Sequence, residues 1–365
     1  MRIAQVAPLQ LAVPPHHYGG TERIVSNLTE SLVELGHEVT LFASGDSRTS
    51  ARLVPFIQRA PAFDPRVDVT ALNIAMLDEV YEQAEQFDII HSHLEYLTLP
   101  YVRTSSTPTL ITLHGRLDTP ELQRVFNTYR DASYAAISRN QRSTQPDLNW
   151  VATVHHGIDV ASFPFISAPD DYLVFIGRIS PEKRPDLAIQ VAQRAGIRLK
   201  IAAKVDHTDA EYFKGHVQPL LDHPLIEWIG EVDEVGKRSL MAHARALLMP
   251  IDWPEPFGLV FIEALACGTP VITRPRGAAP EILQHGVTGF FGETVQDLAD
   301  AVHRLPDIAR EECRRQAFER FDMRRMAMEY VNVYEHLVST RLALPSSSPA
   351  LAPRDGGDIE RISAL

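Results

Sequence analysis

Short apolar runs alternate with helix-patterned segments along most of this sequence, and that alternation restricts the fold more than any other feature. A strand, a helix and a second strand in this order build a parallel unit, because the helix returns the chain to the starting edge of the sheet. Residues 2–7, Arg-Ile-Ala-Gln-Val-Ala, read as the first strand. After a loop, Ile24, Leu28, Leu32 and Leu35 recur at helical spacing, Gly36 ends that helix, and residues 37–42 form the next strand. Further apolar runs stand at 88–91, 108–113, 133–138 and 151–154. A second series begins at 172–176 and continues at 198–203, 226–229, 246–250 and 271–273. Between the series, Pro164-Phe165-Ile166-Ser167-Ala168-Pro169-Asp170 reads as a linker. A chain of 365 residues exceeds the size at which a single core stops growing. The fold class is therefore α/β with two Rossmann-like domains, expected at 1–165 and 171–318. The G-x-G-x-x-G fingerprint is missing from the first strand-to-helix turn, so a dinucleotide is not indicated.

The net charge of −12 argues against a general affinity for nucleic acid or an anionic membrane. Two cysteines, Cys267 and Cys313, are too few for a disulfide framework and fit a reducing compartment. The start, MRIAQVAPLQLAV, reads as a buried strand rather than a signal peptide, and no apolar run approaches the ~18 residues of a membrane span. A cytoplasmic protein is expected, with transient contact to a membrane left open. Residues 342–365, rich in Pro, Ser, Gly and Ala, read as a disordered tail.

The chemistry concentrates between Pro254 and Phe291. Glu255 lies in a Pro-rich loop, and a helix follows from about Gly258 to Cys267 with Glu263 on it. A second turn, Gly277-Ala278-Ala279-Pro280-Glu281, opens the next helix. Each helix N-terminus can present free N–H groups to an anion. A glutamate near each suits the hydroxyls of a sugar or ribose, because a carboxylate only accepts hydrogen bonds. The alternative is that Glu255 and Glu281 complement helix dipoles. Upstream, Gly177-Arg178 and Lys183 put two cations at one strand-to-helix junction, where Arg offers a planar fork and Lys a mobile point charge to a diphosphate. Pro181 suits the first turn of the following helix. Gly19-Gly20 lets a ligand approach the backbone at the first helix, or marks a plain tight turn. His93, Glu95, His114 and Ser138 follow strands, at the sheet ends where ligands bind. A histidine in such a place is also compatible with a structural role. Phosphate and polyhydroxyl groups together point to a nucleotide sugar. No D-x-D motif or His/Cys ligand cluster appears, so no metal is expected at the phosphates.

Glu255-x7-Glu263, with Phe257-Gly258-Leu259 inside it and Ala-x-x-x-Gly-x-Pro-Val-Ile after it, resembles the E-x7-E signature of the retaining family 4 (group 1) glycosyltransferases. The resemblance spans roughly residues 1–340. It implies the GT-B architecture, with a C-terminal helix (319–341) crossing back to the first domain. It implies transfer of a hexosyl group from a nucleotide-diphosphate sugar to a hydroxyl of a glycan, lipid-linked or secondary-metabolite acceptor. The anomeric configuration would be retained, the departing phosphate would help deprotonate the acceptor, and no cofactor beyond the donor would be needed. Carried onto this sequence, the reacting group is faced by His114, Arg178, Lys183 and Glu255. The donor lies against Gly19, Gly20, Gly177, Val232, Phe257, Gly258, Leu259 and Glu263, with Glu263 on the ribose and the base near Gly230-x-Val232. His17, Tyr18, His93 and Glu95 fall on the acceptor side. The chain departs from the family pattern at His156, where an asparagine is usual, and at Arg184, where a glycine is usual. The first is expected to alter turn chemistry rather than the reaction; the second adds a charge at the site or faces solvent. The variants around Gly19-Gly20 and His156 resemble a subgroup that includes transferases of oligosaccharide-antibiotic pathways. A sugar-nucleotide 2-epimerase and an inactive nucleotide-sugar-binding protein are the alternatives on the same fold. A phosphorylase would need a pyridoxal phosphate lysine, for which no motif is present.

Overall fold

The structure, a computed structural model, describes residues 1–16 and 19–343. His17, Tyr18 and the expected tail beyond Ala343 lie outside the described residues. Two parallel sheets carry the chain. The first contains β1 (Arg2–Val6), β2 (Glu38–Ser44), β3 (Arg52–Ile57), β4 (Ile89–Ser92), β5 (Thr109–Thr112), β6 (Ser133–Ala136) and β7 (Trp150–Thr153), in the order β3-β2-β1-β4-β5-β6-β7. The second contains β8 (Tyr172–Arg178), β9 (Arg198–Lys204), β10 (Ile226–Trp228), β11 (Ala246–Met249), β12 (Val271–Thr273) and β13 (Gly289–Phe291), in the order β10-β9-β8-β11-β12-β13. Helices cover both faces, so the central strands are buried on both sides and are apolar without alternation. Each order reverses once, between β1 and β4 and between β8 and β11. At such a reversal the two flanking loops leave in opposite directions and open a crevice beyond the strand ends.

Strand β3 is absent from the sequence reading. Pro55 interrupts its apolar run, and β3 is an edge strand, the place where a missing N–H is tolerated. Strand β8 continues through Gly177 to Arg178, which pairs with Lys204, instead of stopping at the glycine. The helix after it begins at Pro185, not at Pro181. Arg184 takes a left-handed conformation just before it (φ 54°), and Pro185 has the φ a first helical residue needs. Lys183 therefore sits on an open turn between strand and helix. Arg184 binds Asp186 and Asp252 and is not on the cleft wall, so it acts within the loop framework.

The chain crosses between the halves twice, and the passes run side by side. Ile158 N–H donates to Phe321 O (2.9 Å) and Met323 N–H to Ile158 O (3.0 Å). A Cβ on Gly157 would stand 2.6 Å from Asp322 O, so only glycine fits this crossing. A helix over Arg310–Phe321 ends there, and a second, Met323–Ala343, lies on the first sheet. Met326, Tyr330 and Tyr334 from it join Ile3, Ile24, Leu28 and Ile89 in one core. Glu281 makes a further bridge. Its carboxylate accepts the N–H groups of Arg139 (2.8 Å) and Asn140 (2.7 Å) from the opposite half. It thus complements the start of another helix and offers nothing to a sugar in the cleft.

Candidate functional site

A cleft of about 530 Å³ opens between the halves where the two reversal points face each other. From the first half come Gly19, Gly20 and Glu22 at the start of helix Gly20–Glu34, with His114 and His156 at strand ends. From the second half come Gly177 and Arg178 at the end of β8, Lys183 on the turn after it, Val232, and Trp253, residues 255–261 and Glu263 after β11. All the residues assigned above to the reacting group and the donor line this one cleft. The halves come close at its floor: a Cβ on Gly20 would lie 3.2 Å from Leu259 Cδ1. Arg23 and Glu234 form an ion pair across it (3.0 Å).

The cations of the cleft are matched to carboxylates. Lys183 pairs with Glu255, whose Oε2 also accepts the indole N–H of Trp253 (2.8 Å). The Lys183 ammonium lies 5.4 Å from the Trp253 ring centre, a cation–π distance. Glu263 is held by Lys237 (2.8 Å), which also touches Glu234 (2.9 Å). Arg178 faces Glu182 at 2.6 Å, with Asp209 and Asp206 at 3.6 and 3.7 Å. Helix Leu259–Ala266 starts from Gly258 and aims its first N–H groups into the same space.

His93 and Glu95 stand behind this wall rather than on it. His93 is buried and hydrogen-bonds His114. Glu95 accepts the backbone N–H groups of His114 (3.2 Å) and Gly115 (2.9 Å), fixing the turn that presents the histidine. Burial raises the Glu95 pKa, and those two N–H groups offset the rise in part. His156, expected to matter only to a turn, lies in the cleft wall: its ring stacks on His114 (centroids 5.3 Å, planes 18° apart) and meets Phe257 edge-on at 4.8 Å. Its Nδ1 is buried with no hydrogen-bond partner among the described residues.

Sequence reasoning missed Lys237, Trp253 and the place of Glu22. Lys237 stands three residues after Glu234 at a helix start, which looks like an ordinary surface pair until Glu263 is brought beside it. Trp253 directly precedes the Pro254-Glu255 motif and belongs to the same loop. Glu22 sits two residues past the glycine pair; the residue is 6% exposed, and its carboxylate accepts its own backbone N–H with the Arg23 charge nearby. Burial raises its pKa to about 7. Between pH ~4.5 and ~7 the folded chain therefore holds a proton that the unfolded chain has released, so stability falls as pH rises through this window. Glu22→Gln is expected to match the wild type near pH 4.5 and to exceed it by up to about 3 kcal/mol at pH 8. Urea midpoints of both proteins across that range check this, and a constant difference contradicts it.

Known proteins place this architecture. The profile described as "Glycosyl transferases group 1" matches residues 163–320, and "Glycosyltransferase Family 4" matches 18–161. The phosphatidyl-myo-inositol mannosyltransferase of Mycobacterium tuberculosis is 24% identical over 321 residues, covering 80% of this chain and 82% of its own. The crystal structure of AviGT4, a glycosyltransferase involved in avilamycin A biosynthesis, superposes with a TM-score of 0.69 at 26% identity, covering 93% and 98% of the two chains. Anabaena Alr3699/HepE, solved with UDP, shares the fold at TM-score 0.71 and 17% identity, over 92% of this chain and all of that one. The two facing parallel sheets and the cleft between them are those of a GT-B glycosyltransferase. The chain belongs to the group 1, family 4 glycosyltransferases, and it is a glycosyl-transferring enzyme.

Proposed function

We propose that this enzyme moves a sugar from a nucleotide-diphosphate donor to an acceptor hydroxyl with retention of anomeric configuration and without a metal. The observation that carries the reading is the pairing of cations with carboxylates around a glycine-bared floor. As the glycosidic bond breaks, negative charge grows on the diphosphate and positive charge on the anomeric carbon. Arg178, Lys183 and the N–H groups at Gly258-Leu259 stabilise the first, which is why no metal is required. Phosphate oxygens compete for Lys183, and the Glu255 carboxylate so released turns to the sugar hydroxyls. Glu263, oriented by Lys237, takes the ribose diol. His114 faces the sugar from the opposite half. The acceptor enters from the first-half side, and the departing phosphate takes its proton. A polyol or glycan hydroxyl is the acceptor class, in line with the inositol in the name of the mycobacterial relative. The UDP complexes of HepE support a nucleotide-sugar donor. We assign the chain to the cytoplasm, because Cys267 and Cys313 are both free and buried. Among the described residues no helix is long and apolar enough to cross a membrane.

The stereochemistry tests this reading. The enzyme is incubated with an α-linked donor in the presence of EDTA, and the first sugar released or transferred is followed by proton NMR before mutarotation. The α product is expected. A β product, or loss of turnover with EDTA, overturns the mechanism, and a sugar inverted at C2 marks an epimerase.

A further inference from the structure

The described residues contain a buried polar chain that ends at the cleft. Gln5, His91 and His93 are at most 2% exposed, and all three lie on or just after β1 and β4. Gln5 Oε1 lies 2.9 Å from His93 Nε2, and a carbonyl oxygen can only accept, so His93 carries its proton on Nε2. Burial, with the neighbouring imidazoles, keeps the His93 pKa well below its ordinary value. The ring is neutral, and its other nitrogen, Nδ1, is a lone-pair acceptor. His114 Nε2 stands 2.9 Å from that Nδ1 and must donate to it. Burial lowers the His114 pKa to about 3, so this ring is neutral too. Having its proton on Nε2, His114 has an unprotonated Nδ1, which has no partner among the described residues at the cleft wall.

We infer that His93 is a positioning residue: it fixes His114 in the Nε2–H form, so that the cleft meets an imidazole lone pair able to accept a hydrogen bond from a sugar hydroxyl. This deepens the transferase reading above and rests on it for the identity of the hydroxyl. The direction of the chain is set by the Gln5 amide. Its Nε2 donates to Tyr334 Oη (3.2 Å), Tyr334 O–H donates to His91 Nδ1 (2.7 Å), and His91 Nε2–H donates to Thr112 Oγ1 (2.7 Å). Tyr334 belongs to the crossing helix Met323–Ala343, so that helix reaches the cleft through Gln5 and His93. Turning the amide over would reverse each proton and present an N–H to the ligand instead. The inference therefore predicts a specificity: the group facing His114 is a hydroxyl that can donate, and a donor analogue with fluorine at that position loses the contact.

The test uses the full-length protein labelled with ¹⁵N-histidine. Long-range ¹H–¹⁵N spectra report which ring nitrogen is protonated, and His114 is assigned by the signal lost in His114→Gln. The wild type is expected to show His114 protonated on Nε2. His93→Asn places an amide oxygen near the lost Nδ1 and is expected to keep that form and stay within a few-fold of wild-type donor turnover. His93→Gln reaches Gln5 but not His114; it is expected to release the tautomer and to lose roughly 10²-fold in turnover, the scale of a misplaced contact. His114 protonated on Nδ1 in the wild type overturns the inference, as does an unchanged tautomer in His93→Gln. The tautomer is read without any donor, so failure of every nucleotide sugar to turn over would refute the transferase reading alone.

Discussion

Lys183→Ala is expected to lower kcat/KM for the donor by about 10²–10³, the usual cost of losing one charge-stabilising contact at a leaving group. Lys183 lies on an open turn, not on a helix, so its ammonium can swing from Glu255 to a phosphate oxygen without moving the backbone. The substitution also strips the Glu255 carboxylate of its cation and leaves it the Trp253 N–H. A purely structural pair makes a different prediction. If Lys183 served only to neutralise Glu255, then Lys183→Ala combined with Glu255→Gln would recover turnover, because no unpaired charge would remain. The transferase account expects the double variant to stay at least as slow as Lys183→Ala, since each side chain touches a different part of the donor. Steady-state kinetics on the two single variants and the double variant, with circular dichroism to confirm folding, decide the matter.

Gly277→Ala should damage both the fold and the site, although residue 277 does not line the cleft. Gly277 has φ 56°, and a Cβ there would stand 2.2 Å from Glu255 N and 2.3 Å from Glu255 O. Ala278 N–H donates to that same carbonyl at 2.9 Å, so the turn is pinned against the loop that carries Glu255. An alanine must therefore push the Glu255 loop toward the cleft while paying left-handed strain. The two costs together come to roughly 2–5 kcal/mol. A 1 Å displacement of a positioning group can cost ~10² in rate, so turnover falls along with stability. A urea midpoint and a turnover assay on the same sample test this. Wild-type values in both would show that the loop is free of the turn.

The parallel strands, the reversal-point cleft and most of the residues that line it were legible because each rests on local sequence: an apolar run, a glycine turn, a spaced pair of glutamates. Arg178, Lys183, Glu255 and Glu263 carry their chemistry in motifs, and the fold merely brings them together. What was not legible depends on partners distant in the chain. Lys237 became a site residue only beside Glu263, and Glu281 left the site because the opposite half offered it Arg139 and Asn140. His93 and Glu95 were read as acceptor-side because strand-end position does not say which way a side chain faces; both turn inward to hold His114. His156 was read as a turn residue because its segment leads out of the first half, yet the crossing at Gly157 packs it against Phe257 from the second. The edge strand with Pro55 was missed for a simpler reason, since proline weakens the signal where an edge permits it.

The central claim is that a nucleotide-diphosphate sugar occupies this cleft, and a donor panel tests it most directly. Binding and slow hydrolysis of UDP-, GDP- and ADP-sugars would be measured on the wild type, Lys183→Ala and Glu263→Ala. The account predicts that one nucleotide series binds and is hydrolysed, that Lys183→Ala loses hydrolysis, and that Glu263→Ala loses affinity for the free nucleotide as well. If no series binds up to millimolar concentration, or if both variants behave like the wild type, the cleft holds some other ligand and the assignment of these residues is wrong.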